Sequence, residues 1–419
     1  MSYSLQVEAG TRSLQGTIKL TGSKSIANRV LLIRALTEGD FHIANMSESD
    51  DSVTMNKLLS SGDYELDAHH AGTTFRFLTA YLASRPGENV LTGSARMKQR
   101  PIGPLVDALR SLGADISYLE NEGYPPLRIG SPDGNLKKEV SVRGDISSQY
   151  LSALLMIGPT LPEGLVLHIT GDLVSRPYLE MTLQTMSFFG VQHEWEGQTI
   201  SVPSQTYQAR DYFVEADWSA ASYYYSLAAM AEEAGLVLEG LKEDSLQGDA
   251  AIAKIGESFG IHTTYLENKV RLVKSKGTSA PSFFEYNFIK QPDIAQTVFA
   301  MCAATGTQGL FTGLQTLYIK ETDRLAAFKT ELQKVHVFLS KVPDRFKKNT
   351  VGEYYMLEGK ADLSEIPVFD TYHDHRMAMA LAPLALLGPI RVNEADVVSK
   401  SYPAFWEDLE QLGFVIQKI

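Results

Sequence analysis

The sequence predicts an α/β protein of six similar units in two domains, and three observations carry that prediction. The first is a recurring signature: an amphipathic helix that ends in glycine and turns straight into an alternating strand. The second is length, because 419 residues exceed the size at which a single hydrophobic core stops growing. The third is composition, 44% hydrophobic and 21% charged, which is ordinary for a water-soluble globular chain.

The signature is clearest at residues 105–118. Leu105, Val106, Leu109 and Leu112 form an apolar face, Gly113 is placed to turn left-handed past the helix end, and 114–118 alternates. It recurs at 183–190, 252–260 and 405–413, weakly at 53–62, and at 328–335 with His336 where glycine would stand. The terminators at 62, 113, 190, 260, 336 and 413 are spaced by 51, 77, 70, 76 and 77 residues, so only the first interval is short. Units of this size are too small to stand comfortably alone, and three together make a domain of ordinary size. The crossing between halves is expected near 214–217, between the third and fourth signatures.

A net charge of -12 argues against a nucleic-acid or anionic-membrane surface, so an anion site must be a local concentration of positive charge. The single cysteine, Cys302, excludes an intramolecular disulfide and any multi-cysteine metal site. Met1-Ser2-Tyr3-Ser4 lacks a basic and apolar leader, and no apolar run approaches the ~20 residues of a spanning helix. A soluble, cytoplasmic protein is expected.

Polar turns ahead of the helices hold the candidate chemistry. Gly22-Ser23-Lys24-Ser25-Ile26-Ala27-Asn28-Arg29 follows the alternating stretch 16–20 and opens a helix bearing Val30, Ile33 and Leu36. Unpaired amides at a helix start, joined by Lys24, Ser25 and Arg29, suit a phosphate or carboxylate; a plain serine cap is the other reading. The spacing of a nucleotide-binding P-loop is missing. Ala71-Gly72-Thr73-Thr74-Phe75-Arg76 repeats the pattern, and Arg96, Lys98 and Arg100 precede a helix begun by Pro101-Ile102-Gly103. Ser147, Ser148 and Gln149, then Ser175-Arg176-Pro177-Tyr178, supply groups suited to a polyol, or else caps. Asp217 reads as a helix cap, whereas Asp293 is open between a cap and a carboxylate presented at a site. His373-Asp374-His375-Arg376 lacks a third metal ligand at a usual spacing, so Arg376 reads as an anion clamp. Lys400 sits in a turn before the last helix.

Lys320-Glu321-Thr322-Asp323-Arg324 is the densest of these turns. Read as the start of an amphipathic helix running on through Leu325-Ala326-Ala327-Phe328, it sets Lys320 and Arg324 on one face at i and i+4. Like charges so placed destabilise an isolated helix by roughly 0.2–0.5 kcal/mol, which predicts an anionic group between them. The alternative is a surface lattice pairing Lys320 with Asp323 and Glu321 with Arg324. Because such turns recur in most repeats, the helix starts are expected to converge on one anion site.

Along residues 22–403, and in this order, GSKSIANR, AGTTFR, LTGSARMKQRPI, ISSQYLSALLM, GDLVSRPY, QPDIAQT, IKETDRL, HDHRMAMA and SKSYP resemble the motifs of the 5-enolpyruvylshikimate-3-phosphate synthase family. The resemblance implies two similar domains of three βαβαββ units each, 22–215 and 216–419, with residues 1–21 packed into the second and the active site in the cleft between them. It implies transfer of the enolpyruvyl group of phosphoenolpyruvate to the 5-hydroxyl of shikimate 3-phosphate, releasing phosphate. A monomer without metal or organic cofactor is expected to do this. Lys24, Ser25, Arg29, Ser147, Ser148, Gln149, Ser175, Asp293 and Lys320 would hold shikimate 3-phosphate. Lys24, Gly72, Arg100, Gln149, Arg324, Arg376 and Lys400 would surround phosphoenolpyruvate. Asp293 is implied as acceptor of the 5-hydroxyl proton and Glu321 as donor to C3, with Lys24 the third catalytic group. The substrates together carry about -5 to -6 charge. Lys24, Arg29, Arg100, Lys320, Arg324, Arg376 and Lys400 would balance it.

Some positions depart from the family pattern. Only 20 residues separate Asp51 from Gly72, so the first unit is trimmed. His70, Thr316 and His373 stand for usual asparagines and Phe77 for a frequent proline, which bears on affinity and inhibitor response rather than on the reaction. Two other readings compete. One is the related UDP-N-acetylglucosamine enolpyruvyl transferase, most members of which use a loop cysteine. The other is a non-catalytic repeat protein that binds an anion. Cys302 lies in the apolar run 298–302, a core helix position.

Overall fold

The computed structural model describes residues 2–132, 136–346 and 352–419. It divides into two compact units, one of Gly22–Val214 and one of Met1–Thr21 with Glu215–Ile419.

One repeat of the latter unit shows the topology. Strand Phe283–Asn287 leads through helix Ala295–Thr305 to strand Gln308–Thr312, which runs parallel to it with Phe283 opposite Gln308. A parallel pair needs such a crossover, and the helix supplies it. Helix Arg324–Gln333 follows, and the hairpin of Phe338–Lys341 and Tyr355–Glu358 closes the sheet, its last strand antiparallel beside Gln308–Thr312. Two further sheets of this unit keep the same order, and each borrows a strand from the first twenty-one residues. Ser13–Lys19 runs parallel to Glu233–Glu239 with Ser13 opposite Glu233. Leu5–Ala9 lies between Ile390–Val392 and Phe414–Lys418, antiparallel to both.

In Gly22–Val214 two four-stranded sheets repeat this order, but among the described residues Ile43–Ala44 pairs only with Tyr212–Phe213. Here lies the cause of the short first interval. Helix Asp50–Leu59 is followed directly by Glu65–Asp67, the opening strand of the next sheet, and no closing hairpin intervenes. The first unit thus has one strand pair, Ile43–Ala44 with Tyr212–Phe213, and no closing hairpin after helix Asp50–Leu59.

Helix ends follow the sequence signature where the next strand turns straight back into the sheet of the same repeat. Gly113, Gly190, Gly260 and Gly413 have φ of 108°, 87°, 77° and 89°. His336 takes φ 60° in the same position, a conformation that costs a side-chain-bearing residue roughly 1–2 kcal/mol. Gly62 is not left-handed. The strand that follows, Glu65–Asp67, opens the next sheet instead of turning straight back, so nothing forces that conformation there.

The first helix of every repeat is the buried one. Lys24–Leu36, Gly72–Ala83 and Ser148–Ile157 pack on one another in one unit, and Trp218–Met230, Ala295–Thr305 and His375–Leu381 do so in the other. Apart from Arg29, Arg34, Arg76 and a few hydroxyls, these helices are apolar on most sides beyond their first turns, as burial nearly all round requires. Ala295 through Ala304 are all buried, Cys302 among them. Each large apolar side chain so buried contributes about 1.5–3 kcal/mol. Most charged groups are thereby left near the helix starts. Among the described residues, no helix is long and apolar enough to cross a membrane.

Candidate active site

In the unit containing Glu215–Ile419, side chains from three helix starts meet at Asp293. This residue lies in the 3₁₀ turn Pro292–Ile294 and its side chain does not cap the helix that follows. Its carboxylate instead faces three cations. Lys320 Nζ lies 3.2 Å and Arg324 Nη1 3.0 Å from Oδ1, and Arg376 Nη2 lies 3.5 Å from Oδ2. Arg324 is 1% exposed, and its guanidinium also donates from Nε to Asp374 Oδ2 at 2.7 Å and from Nη2 to Glu321 Oε2 at 2.7 Å. Burial lowers its pKa, but Asp374, Glu321 and Asp293 outweigh that and leave it raised. Asp374 also caps helix His375–Leu381 through the Arg376 amide, so one carboxylate orients both arginines. Arg376 Nη1 donates to the Asp293 carbonyl at 3.2 Å. Lys400 ends the 3₁₀ turn Ala395–Lys400 and donates to the His373 carbonyl at 2.6 Å.

The expected helix over Lys320–Arg324 is corrected here. Lys320 is extended, closing the turn Gln315–Ile319, and the helix begins only at Arg324 with Asp323 as its N-cap. Capping explains the difference, because the Asp323 side chain satisfies the Ala326 amide at 3.0 Å and fixes the start. The two cations therefore do not share a helix face. They do share an anion, and it is Asp293. Of the alternative lattice, Glu321–Arg324 forms, while Lys320 pairs with Asp293 instead of Asp323.

In Gly22–Val214, Arg29 and Arg76 bond neutral groups, while Lys24 stands beside a carboxylate. Gly72, at the start of its helix, lies under two guanidinia: a Cβ built there would stand 2.5 Å from Arg100 Nη1 and 3.0 Å from Arg76 Nη1. Arg76 donates to Gln149 Oε1 at 2.6 Å, and Gln149 Nε2 donates to Thr73 Oγ1 at 3.1 Å. Phe75, Met97, Pro101, Ile102 and Pro125 line a small recess beside these arginines. Lys24 Nζ lies 4.0 Å from Asp51 Oδ2, whose other oxygen accepts from the Thr74 amide and hydroxyl. Ser147 caps helix Ser148–Ile157 and half-buried Ser148 follows it, while buried Ser175 takes φ 56° before helix Arg176–Phe188. Arg29 is 2% exposed and donates to Thr182 Oγ1 at 2.7 Å, the Ser25 carbonyl at 2.7 Å, and Ser152 Oγ and the Tyr178 carbonyl at 3.2 Å. Burial lowers its pKa to about 10.

Three of the four departures from the family pattern find local partners. His70 Nε2 lies 3.3 Å from Asp50, His373 Nδ1 3.0 Å from Glu394, and Phe77 is buried under the Arg29 guanidinium. Thr316 is buried, with no partner for its hydroxyl among the described residues. No group of three or more His, Cys, Asp or Glu among the described residues is placed to hold a metal ion. Sequence reasoning did not put Arg76 or Asp51 among the candidates of Gly22–Val214, nor Asp374 among those of the other unit, although each contacts one of them. Asp51 and Asp374 stand at helix starts and Arg76 one turn in, as most of the other candidates do.

A model of the family described as EPSP synthase (3-phosphoshikimate 1-carboxyvinyltransferase) matches residues 8–61 and 56–409. A 3-phosphoshikimate 1-carboxyvinyltransferase of Bacteroides fragilis is 47% identical over 406 residues, covering 96% of this chain and 97% of the relative. One from Photobacterium profundum is 39% identical over 435 residues, with the same coverage. An EPSP synthase structure from Acinetobacter baumannii superposes with a TM-score of 0.78 over the whole of both chains at 22% identity, which bears on the fold. By family model and by near-full-length identity, the chain belongs to the EPSP synthase (3-phosphoshikimate 1-carboxyvinyltransferase) family.

Proposed function

We propose that this protein transfers the enolpyruvyl group of phosphoenolpyruvate to the 5-hydroxyl of shikimate 3-phosphate and releases phosphate. The observation that carries the reading is Asp293, a carboxylate with a 13% exposed side chain kept beside Lys320, Arg324 and Arg376. Such a group suits a base poised beside anionic reactants. In the addition step Asp293 takes the 5-hydroxyl proton as the oxygen bonds to C2, and the C2–C3 π electrons take a proton at C3. In the elimination step the C2–O bond to phosphate breaks, C3 gives up a proton and the double bond returns. Glu321 is the group proposed at C3. Its pairing with Arg324 favours the carboxylate, so it must first gain a proton to act as donor.

The substrate contacts are proposals by unit. In Gly22–Val214, Lys24, Ser25, Arg29, Ser147, Ser148, Gln149 and Ser175 are assigned to shikimate 3-phosphate. Lys24, Gly72, Arg100 and Gln149 of that unit are assigned to phosphoenolpyruvate. In the other unit, Asp293 and Lys320 are assigned to shikimate 3-phosphate, and Arg324, Arg376 and Lys400 to phosphoenolpyruvate. The positive groups supply the electrostatic stabilisation that two anionic reactants require.

The test is phosphate release with phosphoenolpyruvate and either shikimate 3-phosphate or UDP-N-acetylglucosamine as acceptor. Turnover with the first alone is expected. Release only with the second would replace this reading with the related transferase, and release with neither would leave an anion-binding protein. Cys302 gives an independent check: burial raises its thiol pKa, opposite to what a reactive cysteine needs. Cys302→Ser is expected to keep at least half of wild-type kcat, and a loss at unchanged thermal unfolding would favour a cysteine-dependent reaction.

A further inference from the structure

Asp249 belongs to none of the groups assigned above, yet its neighbours do. The 3₁₀ turn Gly248–Ala251 carries it just before helix Ile252–Ser258, and it is 4% exposed. The Ser219 hydroxyl donates to Asp249 Oδ2. Ser219 Oγ in turn accepts from Arg376 Nη2 at 3.4 Å, the same nitrogen that lies 3.5 Å from Asp293 Oδ2. Ser219 is held in place by its own amide, which donates to Asp217 Oδ1 at 2.7 Å in the cap of helix Trp218–Met230. A hydroxyl has one proton and two lone pairs. With the proton committed to Asp249, a lone pair faces Arg376.

We propose that Asp249 is a positioning residue that orients the Ser219 hydroxyl so that it holds Arg376 against Asp293. The inference rests on the functional reading only in assigning Arg376 to phosphoenolpyruvate. It has a chemical corollary. An ionised Asp249 can only accept, whereas the neutral acid can donate to Ser219 and turn the hydroxyl proton toward the guanidinium. Burial, then Asp293, favour the neutral acid, and Asp217 adds to them; Arg376 and the Ser219 hydrogen bond oppose it. Together they push the Asp249 carboxyl up to about 7. Tyr286 is the other titratable group that senses it. The hold on Arg376 is therefore firm above that pH and relaxed below it.

Asp249→Asn and Ser219→Ala test this, with thermal unfolding to establish that each folds. KM for each substrate is measured at pH about 6 and about 8, on either side of the carboxyl's titration, and phosphoenolpyruvate affinity is measured by calorimetry. At the higher pH both variants are expected to weaken phosphoenolpyruvate roughly 10–100-fold, the scale of one hydrogen bond to a charged group. KM for shikimate 3-phosphate should stay within about twofold, and Asp249→Asn should approach wild type at the lower pH. The double variant should be no worse than the worse single one, because both act through one path. Equal losses for both substrates, a penalty independent of pH, or no penalty would each overturn the positioning role. Absence of wild-type turnover would sink the functional reading instead, and the calorimetric comparison would still decide the role of Asp249.

Discussion

Asp293 is the side chain on which the largest number of candidate groups converge, and replacing it separates charge from position. An asparagine side chain there would keep the shape while losing the ability to accept a proton. Asp293→Asn should lower kcat by roughly 10²–10⁴-fold, the usual worth of a positioned general base, with KM for both substrates changed far less. Steady-state kinetics check this, and near-wild-type turnover would remove Asp293 from proton transfer. Gly72 makes the complementary argument by steric reach. A methyl group there meets the outer nitrogens of Arg100 and Arg76 rather than backbone, so the fold can absorb it while the guanidinia move aside. Gly72→Ala should raise KM for phosphoenolpyruvate about tenfold, a shift of about 1.4 kcal/mol, with the unfolding midpoint nearly unchanged. An unchanged KM would show that Arg100 does not need its present place.

At the scale of the element, the helix terminators are where sequence and structure agree most closely, and His336 tests why. Its φ of 60° is the glycine conformation of the other repeats, retained because strand Phe338–Lys341 must turn back at once. His336→Gly should raise stability by roughly 0.5–1 kcal/mol in denaturant titration, the strain relieved being partly offset by glycine's greater freedom when unfolded. A loss of stability would mean that the imidazole contributes more than its backbone costs. These ends are legible in sequence because glycine's preference is local. The first sheet is half legible: the short interval points to a deletion, but only strand pairing identifies the missing piece as the hairpin. Lys320 is misread because charge spacing fits a helix and an extended turn equally well, and the Asp323 cap decides between them. Asp249 is missed because Gln247-Gly248-Asp249 resembles an ordinary turn. Its place ahead of the second helix of its repeat, matching Lys320 and Lys400, is visible only once the repeats are aligned.

Across the whole molecule, buried titratable groups are divided unevenly between the two units, and pH should separate their stabilities. Glu215, Asp249 and Asp408 all lie in the unit of Met1–Thr21 and Glu215–Ile419. Burial raises the pKa of each above its unfolded value, most for Asp249, to about 7. A carboxyl whose folded pKa is raised contributes stability that is full below the unfolded pKa and is lost as pH rises through the folded one. From about pH 5 to about pH 8 this unit should therefore weaken. Asp370, in the same unit, has its pKa lowered by Asn393 and Lys334, so its contribution is lost only as pH falls below the ordinary carboxylate range. In Gly22–Val214 the opposite sign applies: burial lowers the His193 pKa, so its contribution is present above the unfolded value near 6.5 and is lost as pH falls. Amide hydrogen exchange, corrected for the intrinsic pH dependence of exchange, reads both units in one sample. Core strands such as Glu233–Glu239 should lose protection across this range while Leu165–Thr170 holds or gains it, and Asp249→Asn should flatten the loss. If Glu233–Glu239 gained protection relative to Leu165–Thr170, burial would not be governing these carboxyls, and the charge-dependent part of the Asp249 role would fall with it.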